Sequence, residues 1–169
     1  MFPRSHARHS QIAYVTNDLE RALAVWRDEF DVPAFDVFTN DAPGRRTSHP
    51  EYRLKIALAL VGGTEIELIE PLDGTAPLYA EPLPADGSFA MCFHHVAMRI
   101  EGTLADFEAH MASLDLARHP VVINGGMADM MRYAYTDERR TLGHYVEHVW
   151  FDPAFYAQMA AAIPVYPAG

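Results

Sequence analysis

The sequence predicts an α+β fold built from two tandem β-α-β-β-β modules, and three observations carry that reading. First, a metal-competent side chain on a strand is followed by a strand carboxylate in each half. Glu67 follows Gln11 by 56 residues and Glu147 follows His95 by 52, and the second pair lies 84 and 80 residues beyond the first. Second, each half opens with a strand pattern that runs into an amphipathic helix. Third, a segment with four prolines and two glycines separates the halves. Together they describe a duplicated module, with one domain spanning 1–169: module 1 (8–70), a linker (71–88), module 2 (89–152) and a C-terminal helix (153–163).

In module 1, residues 10–16 (SQIAYVT) are apolar and β-branched enough for a strand, and Asn17 with Glu20 three residues on resembles a capping box. Leu19, Ala22, Leu23, Trp26 and Phe30 then form one helical stripe that ends before Pro33. A short strand over 35–38 leads into an exposed loop at 39–51, marked by Pro43, Gly44 and Pro50. Residues 52–61 and 64–69 read as a hairpin closed by Gly62-Gly63, because paired glycines supply the positive φ angles of a tight turn.

The linker composition sustains neither helix nor sheet ladder. Module 2 restarts with a strand at 89–100, then a helix opened by Thr103 and Asp106 with Leu104, Phe107, Met111 and Leu114 as its stripe. Strands follow at 121–123, 131–135 and 143–150, separated by Asn124-Gly125-Gly126 and the charged turn 137–140. A last helix, 154–162, follows Pro153 at a favourable first-turn position and fades into a Pro-rich tail.

Composition excludes several function classes. With 13 Lys+Arg against 23 Asp+Glu, the formal net charge of −10 repels phosphate backbones and anionic bilayers, so neither nucleic acid nor membrane is an expected partner. No run approaches the roughly 18–20 apolar residues of a membrane span. Cys92 is the single cysteine, which rules out an intramolecular disulfide and a thiolate zinc finger. Residues 1–10 lack the apolar run of a signal peptide, so a cytoplasmic location is expected.

Gln11, Glu67, His95 and Glu147 are N/O donors, a set suited to one Zn, Ni, Co, Mn or Fe(II) ion. Strand alternation places Gln11 on a face with His9, Ala13 and Val15, and Glu147 on a face with Tyr145 and Val149. His9 replaces Gln11 if the register slips by two. The same alternation sends His94 and His148 to the opposite faces from their neighbours His95 and Glu147. His6, His49, His110, His119 and His144 read as surface residues. Arg99 shares the parity of His95 and is placed to pair with an anionic substrate group, with Tyr145, Tyr133 and Phe93 as candidate pocket walls.

The segments QIAYVTNDLERAL, TEIELIEPL, FHHVAMRI and LGHYVEHVW resemble the four signature strands of the vicinal oxygen chelate superfamily, of the glyoxalase and methylmalonyl-CoA epimerase type. The resemblance covers nearly the whole chain. It implies the glyoxalase-like fold, a curved half-open sheet cupping a divalent metal, with Gln11, Glu67, His95 and Glu147 at the four ligand positions. It also implies a homodimer.

The resemblance and the donor set lead to one chemistry: a Lewis-acidic metal polarises a carbonyl and a neighbouring carboxylate removes the adjacent proton. Glu147 is the first candidate for the base and Glu67 the second. The expected activity is that of a lyase, isomerase or epimerase acting on a small carbonyl or thioester substrate. Two alternatives stay open. One is an Fe(II) ring-cleaving dioxygenase of the same superfamily, which needs two histidines where this chain offers Gln11. The other is a non-enzymatic binding protein of the resistance type, which lacks the metal ligands.

Overall fold

The predicted first strand extends to β1 (Ala7–Thr16) and runs directly into α1 (Leu19–Phe30). The protein is described by a computed structural model covering residues 7–41, 45–47, 52–73 and 77–167, so His6 and His49 lie outside the described residues. Asp18, not Asn17, caps α1, its carboxylate accepting from the Arg21 backbone N–H. Asn17 instead bridges the halves. Its side-chain amide donates to the Ser88 carbonyl and accepts from the Ala90 N–H, tying the end of β1 to the start of the second module. Leu19, Ala22 and Trp26 are the buried stripe of α1, and full burial of each large side chain contributes about 1.5–3 kcal/mol. Phe30 stays 55% exposed, because Asp31 turns left-handed there and ends the helix.

The rest of module 1 is β2 (Asp36–Thr39), β3 (Arg45–Thr47), β4 (Arg53–Val61) and β5 (Thr64–Asp73). Gly62 and Gly63 both carry positive φ, as the predicted β4–β5 hairpin requires. The segment between modules holds a short helix, α2 (Pro77–Ala80). Module 2 comprises β6 (Met91–Ile100), α3 (Leu104–Ala112), β7 (Val121–Met127), β8 (Met131–Asp137) and β9 (Tyr145–Phe151). Thr103 and Asp106 open α3 as predicted, and the two close a capping box there. The chain then adds α4 (Pro153–Ala160) and β10 (Val165–Tyr166).

The described strands form one sheet in the order β10-β4-β5-β1-β6-β9-β8-β7-β3, with β2 added to β4. Its centre is the antiparallel β1·β6 pair, flanked by parallel β1·β5 and β6·β9 pairs. The two modules are therefore related by a pseudo-twofold through the β1·β6 ladder, in which β1, β5 and β4 correspond to β6, β9 and β8. This is the curled α+β sheet expected from the sequence. The convex face is covered by α1, packed on Ala57, Ala59, Ile66 and Leu68, and by α3, packed on Met98, Ile100, Val146 and Trp150.

Five expectations are corrected. The stretch 39–51 is not all loop, because its residues 45–47 form β3, which pairs with β7 in the other module and straps the chain across the sheet. The linker 71–88 is not devoid of structure: β5 runs on to Asp73, and α2 buries Leu78 and Tyr79 in the concave core. Strand β7 runs through Asn124-Gly125-Gly126, so the turn falls after Met127. The C-terminal helix α4 is shorter than expected, with Asp152 as its cap, and the tail lays β10 alongside β4. Finally, the β1·β6 register slips between Ala13 and Tyr14, leaving His94 as a bulge residue without a partner on β1. No helix among the described residues is long and apolar enough to cross a membrane.

Replacing Asp18 by Ala should lower stability by about 1 kcal/mol through loss of the α1 cap, measured by urea denaturation. The same loss from an Asn17→Ala variant with intact helix content reports the module-to-module tie instead of a cap.

Candidate functional site

The concave face owes its chemistry to strand register. Gln11 stands opposite Ala97 and His95 opposite Ala13, two equivalent pairs across the pseudo-twofold. On the flanking strands, Glu67 lies beside Ala13 and Glu147 beside Ala97. Each carboxylate thus has an alanine as its neighbour, and the missing side-chain bulk lets it reach inward. His95 Nε2 lies 3.5 Å from Glu67 Oε2 and 3.5 Å from Glu147 Oε2. The hydroxyl of Tyr135 is also 3.5 Å from the same nitrogen.

Glu67, Glu147 and Tyr135 lie on the floor of a cavity of about 480 Å³, and His95 is fully buried behind them, outside the lining. Gln11, Glu65, Glu67 and Glu147 line it with Tyr79, Tyr133 and Tyr135, and its apolar wall includes Leu54, Ile56 and Leu58. Helix α4 closes one side through Phe155 and Met159. Tyr52 and Tyr133, both on the wall, have hydroxyls 3.2 Å apart.

Burial dominates the electrostatics. It pushes the Glu65 carboxyl up to about 7, with the nearby Glu147 adding to the rise and Arg99 opposing it. Burial also holds Glu67 well above the ordinary range, reinforced by Glu147 and Glu65. Glu147 rises to about 7 by burial, against a hydrogen bond from Tyr135. His95 moves the other way, to about 3, because a charged imidazole there would be desolvated. The floor therefore favours shared protons or a bound cation over three bare carboxylates.

A divalent ion fits these residues. Glu67 Oε2 is buried with no hydrogen-bond partner, an uncompensated acceptor that a cation would satisfy. The 3.5 Å separations match the spacing of adjacent ligands, roughly 3–3.5 Å when bonds are near 2.1 Å. Among the described residues no three His, Cys, Asp or Glu side chains are already closed around a common centre.

The other sequence candidates separate. Tyr133 lines the cavity. Phe93 does not: it is 45% exposed and packs on Tyr14 and His144. The bulge at His94 reverses the expected parity, turning Phe93 out and His94 in, where it is buried and stacked on Tyr79. Tyr145 is buried beside His94 under the Arg139 guanidinium and does not line the cavity. Arg99 is also absent from the lining, its guanidinium lying over the Tyr156 ring. His9 is exposed at a second register shift, outside the cavity.

His110 is not a surface residue: it is buried on the convex side, its ring nitrogen 2.9 Å from that of His148, which lies on the face opposite Glu147 as expected. His119, also read as a surface residue, is part-buried, its Nδ1 2.7 Å from Glu138 Oε1. Sequence reasoning missed Glu65, Tyr135, Tyr79 and His94. Glu65 was within reach, since it has the strand parity of Glu67.

A curled β-α-β-β-β duplication with N/O donors grouped on its concave floor defines a glyoxalase-like protein. Residues 10–135 match the profile of the Glyoxalase/Bleomycin resistance protein/Dioxygenase superfamily, and the chain belongs to that family. Among solved structures, methylmalonyl-CoA epimerase from Mycobacterium tuberculosis superposes with a TM-score of 0.63 at 19% identity, covering 93% of this chain and 97% of its own. A variant Streptomyces coelicolor methylmalonyl-CoA epimerase in complex with 2-nitronate-propionyl-CoA gives 0.61 at 18% identity, covering 88% and 97%. A hypothetical protein from Bacillus halodurans gives 0.60 at 18%, covering 86% and 95%. At such identities the likeness is one of fold. No curated protein sequence matches the chain.

The raised carboxyls make a signed prediction for metal-free protein. A group whose folded pKa exceeds its unfolded one stabilises fully below the unfolded value, near 4.5, and that contribution is lost as pH rises through about 7. His94, His95 and His148, lowered to about 3, act oppositely, and their contribution is complete above 6.5. Stability in chelator should therefore fall between pH 6.5 and 8. Glu65→Gln should flatten that slope, as read by urea denaturation at each pH.

Proposed function

We propose that this chain is a divalent-metal-dependent enzyme of the lyase, isomerase or epimerase type, transferring a proton at the carbon next to a carbonyl. The observation that carries the reading is the Glu67–His95–Glu147 group, in which two largely buried carboxylates on the floor of an apolar cavity sit 3.5 Å from one nitrogen of the fully buried His95 imidazole behind them. Burying such a cluster is costly unless it holds a cation or handles protons. Family membership and the epimerase fold neighbours are consistent with it.

In this reading Gln11, Glu67, His95 and Glu147 hold one divalent ion, whose identity among Zn, Ni, Co, Mn and Fe(II) is left to experiment. Bound there, the ion would supply Lewis acidity toward a substrate carbonyl. The chain's own residues do the rest. Glu147 is the group placed to accept a proton and return it, and Tyr135 donates a hydrogen bond that steadies its anionic form. Glu67 is the second candidate for that exchange. Leu54, Ile56 and Leu58 keep water from the reacting carbon, and Tyr52 and Tyr133 offer hydroxyls along the wall. The substrate is a small carbonyl compound or thioester with an apolar body.

The dioxygenase alternative needs a second histidine ligand. His94 is the nearest candidate, but its two ring nitrogens are already engaged, by His95 and by the Leu78 carbonyl. A homodimer belongs to the same proposal. It would rest on exposed apolar residues such as Val37 and Phe38, because α4 covers the cavity and short strands occupy the sheet edges. A monomer mass by light scattering at micromolar concentration would remove it.

Purified protein should carry close to one divalent ion per chain by elemental analysis, and His95→Ala should lose most of it. His9→Ala is the matched control, since His9 is exposed and remote from the cavity lining. Equal metal in both variants would refute the ligand assignment.

Glu147→Gln should keep the fold, bind metal somewhat less tightly and lose most proton transfer, because an amide coordinates but accepts no proton. The measurement is metal-dependent deuterium entry from D₂O into the α-carbon of glutathione hemithioacetals and 2-substituted malonyl-type thioesters. A fully active Glu147→Gln would move the base to Glu67.

A further inference from the structure

A chain of three groups runs behind the metal-binding face of His95. His94 Nε2 lies 3.0 Å from the carbonyl oxygen of Leu78 in α2. His94 Nδ1 lies 2.8 Å from His95 Nδ1. A carbonyl only accepts, so His94 Nε2 must carry the proton of that imidazole. In a neutral ring the other nitrogen, Nδ1, is then an acceptor. The group facing it is His95 Nδ1, which must be the donor. That leaves His95 Nε2 with its lone pair bare, aimed at the point between Glu67, Glu147 and Tyr135.

We propose that His94 is a positioning residue: together with the Leu78 carbonyl it fixes His95 in the Nδ1–H tautomer, so that Nε2 is ready to ligate a metal ion. The effect on metal rests on the ligand reading above, whereas the tautomer itself does not. Three local features build the relay. The bulge leaves His94 unpaired across β1 and lets both adjacent imidazoles enter the concave side. The Tyr79 ring, centroid 5.1 Å away and nearly parallel, clamps the His94 plane. Helix α2, in the segment between modules, supplies the terminal carbonyl.

The relay gives the linker a direct line to the metal centre. Any shift of α2 that withdraws the Leu78 oxygen releases the proton preference of His94, and with it that of His95. An imidazole whose far nitrogen donates a hydrogen bond is also a more basic ligand.

The experiment uses full-length protein with ¹⁵N-labelled histidine. In metal-free wild type at pH 7.5, long-range ¹H–¹⁵N correlation should show His95 with a protonated Nδ1 and a lone-pair Nε2. A protonated Nε2 overturns the proposal, and this readout needs no variant. Zn²⁺ titration then compares His94→Phe, which keeps a ring against Tyr79 but offers no acceptor, with His94→Asn, whose side-chain oxygen takes the place of Nδ1. His94→Phe should bind Zn²⁺ roughly 10–100-fold more weakly, and His94→Asn should recover most of that loss. Wild-type Zn²⁺ affinity in His94→Phe overturns the proposal. A wild type that shows the tautomer but binds no divalent ion leaves the relay standing and removes the metal reading instead.

Discussion

Ionisable groups taken out of water dominate this structure. Glu65, Glu67 and Glu147 line the floor of the cup in front of the buried His95, and burial pushes each of them toward its neutral form. Much of the surrounding architecture answers that constraint. Tyr135 bonds to Glu147, and the His94–Leu78 relay satisfies the back of His95. One carboxylate oxygen, Glu67 Oε2, is left over. That unsatisfied acceptor is the feature of the concave core that a bound cation would satisfy.

Symmetry explains how the floor is assembled from so few positions. The antiparallel β1·β6 ladder matches Gln11 with Ala97 and Ala13 with His95, while the parallel ladders on either side place Glu67 and Glu147 next to the two alanines. Large side chains at 13 and 97 would fill the space through which the glutamates reach. Where the halves differ, function enters: β5 carries Glu65 where the equivalent position of β9 carries Tyr145. The extra carboxyl is held near its neutral form by burial and by Glu147, with Arg99 opposing that rise.

The cup is closed by segments that the two modules do not share. Helix α2 buries Leu78 and Tyr79 beneath the relay, α4 lays Phe155 and Met159 along the cavity, and β3 crosses from the first module to pair with β7 in the second. These connections lack counterparts in the pseudo-twofold.

The sequence by itself determined the duplicated β-α-β-β-β plan, the acidic and cysteine-poor character, the start of α3 at Thr103 and the four donors that the strands bring to one face. Periodicity and spacing carry that information because strands alternate and helices repeat at 3.6 residues. Tertiary structure decided what alternation cannot express. One bulge residue, His94, reversed the parity of Phe93 and brought a second imidazole behind His95. The cap moved from Asn17 to Asp18 because Asn17 was needed to bridge the modules. A Pro-rich linker gained a helix because Leu78 and Tyr79 had an apolar cavity to fill. His110 and His148 became a buried pair only when α3 lay down on β9. In each case a contact between residues distant in sequence outweighed the local pattern, and such contacts leave no period for a single sequence to show.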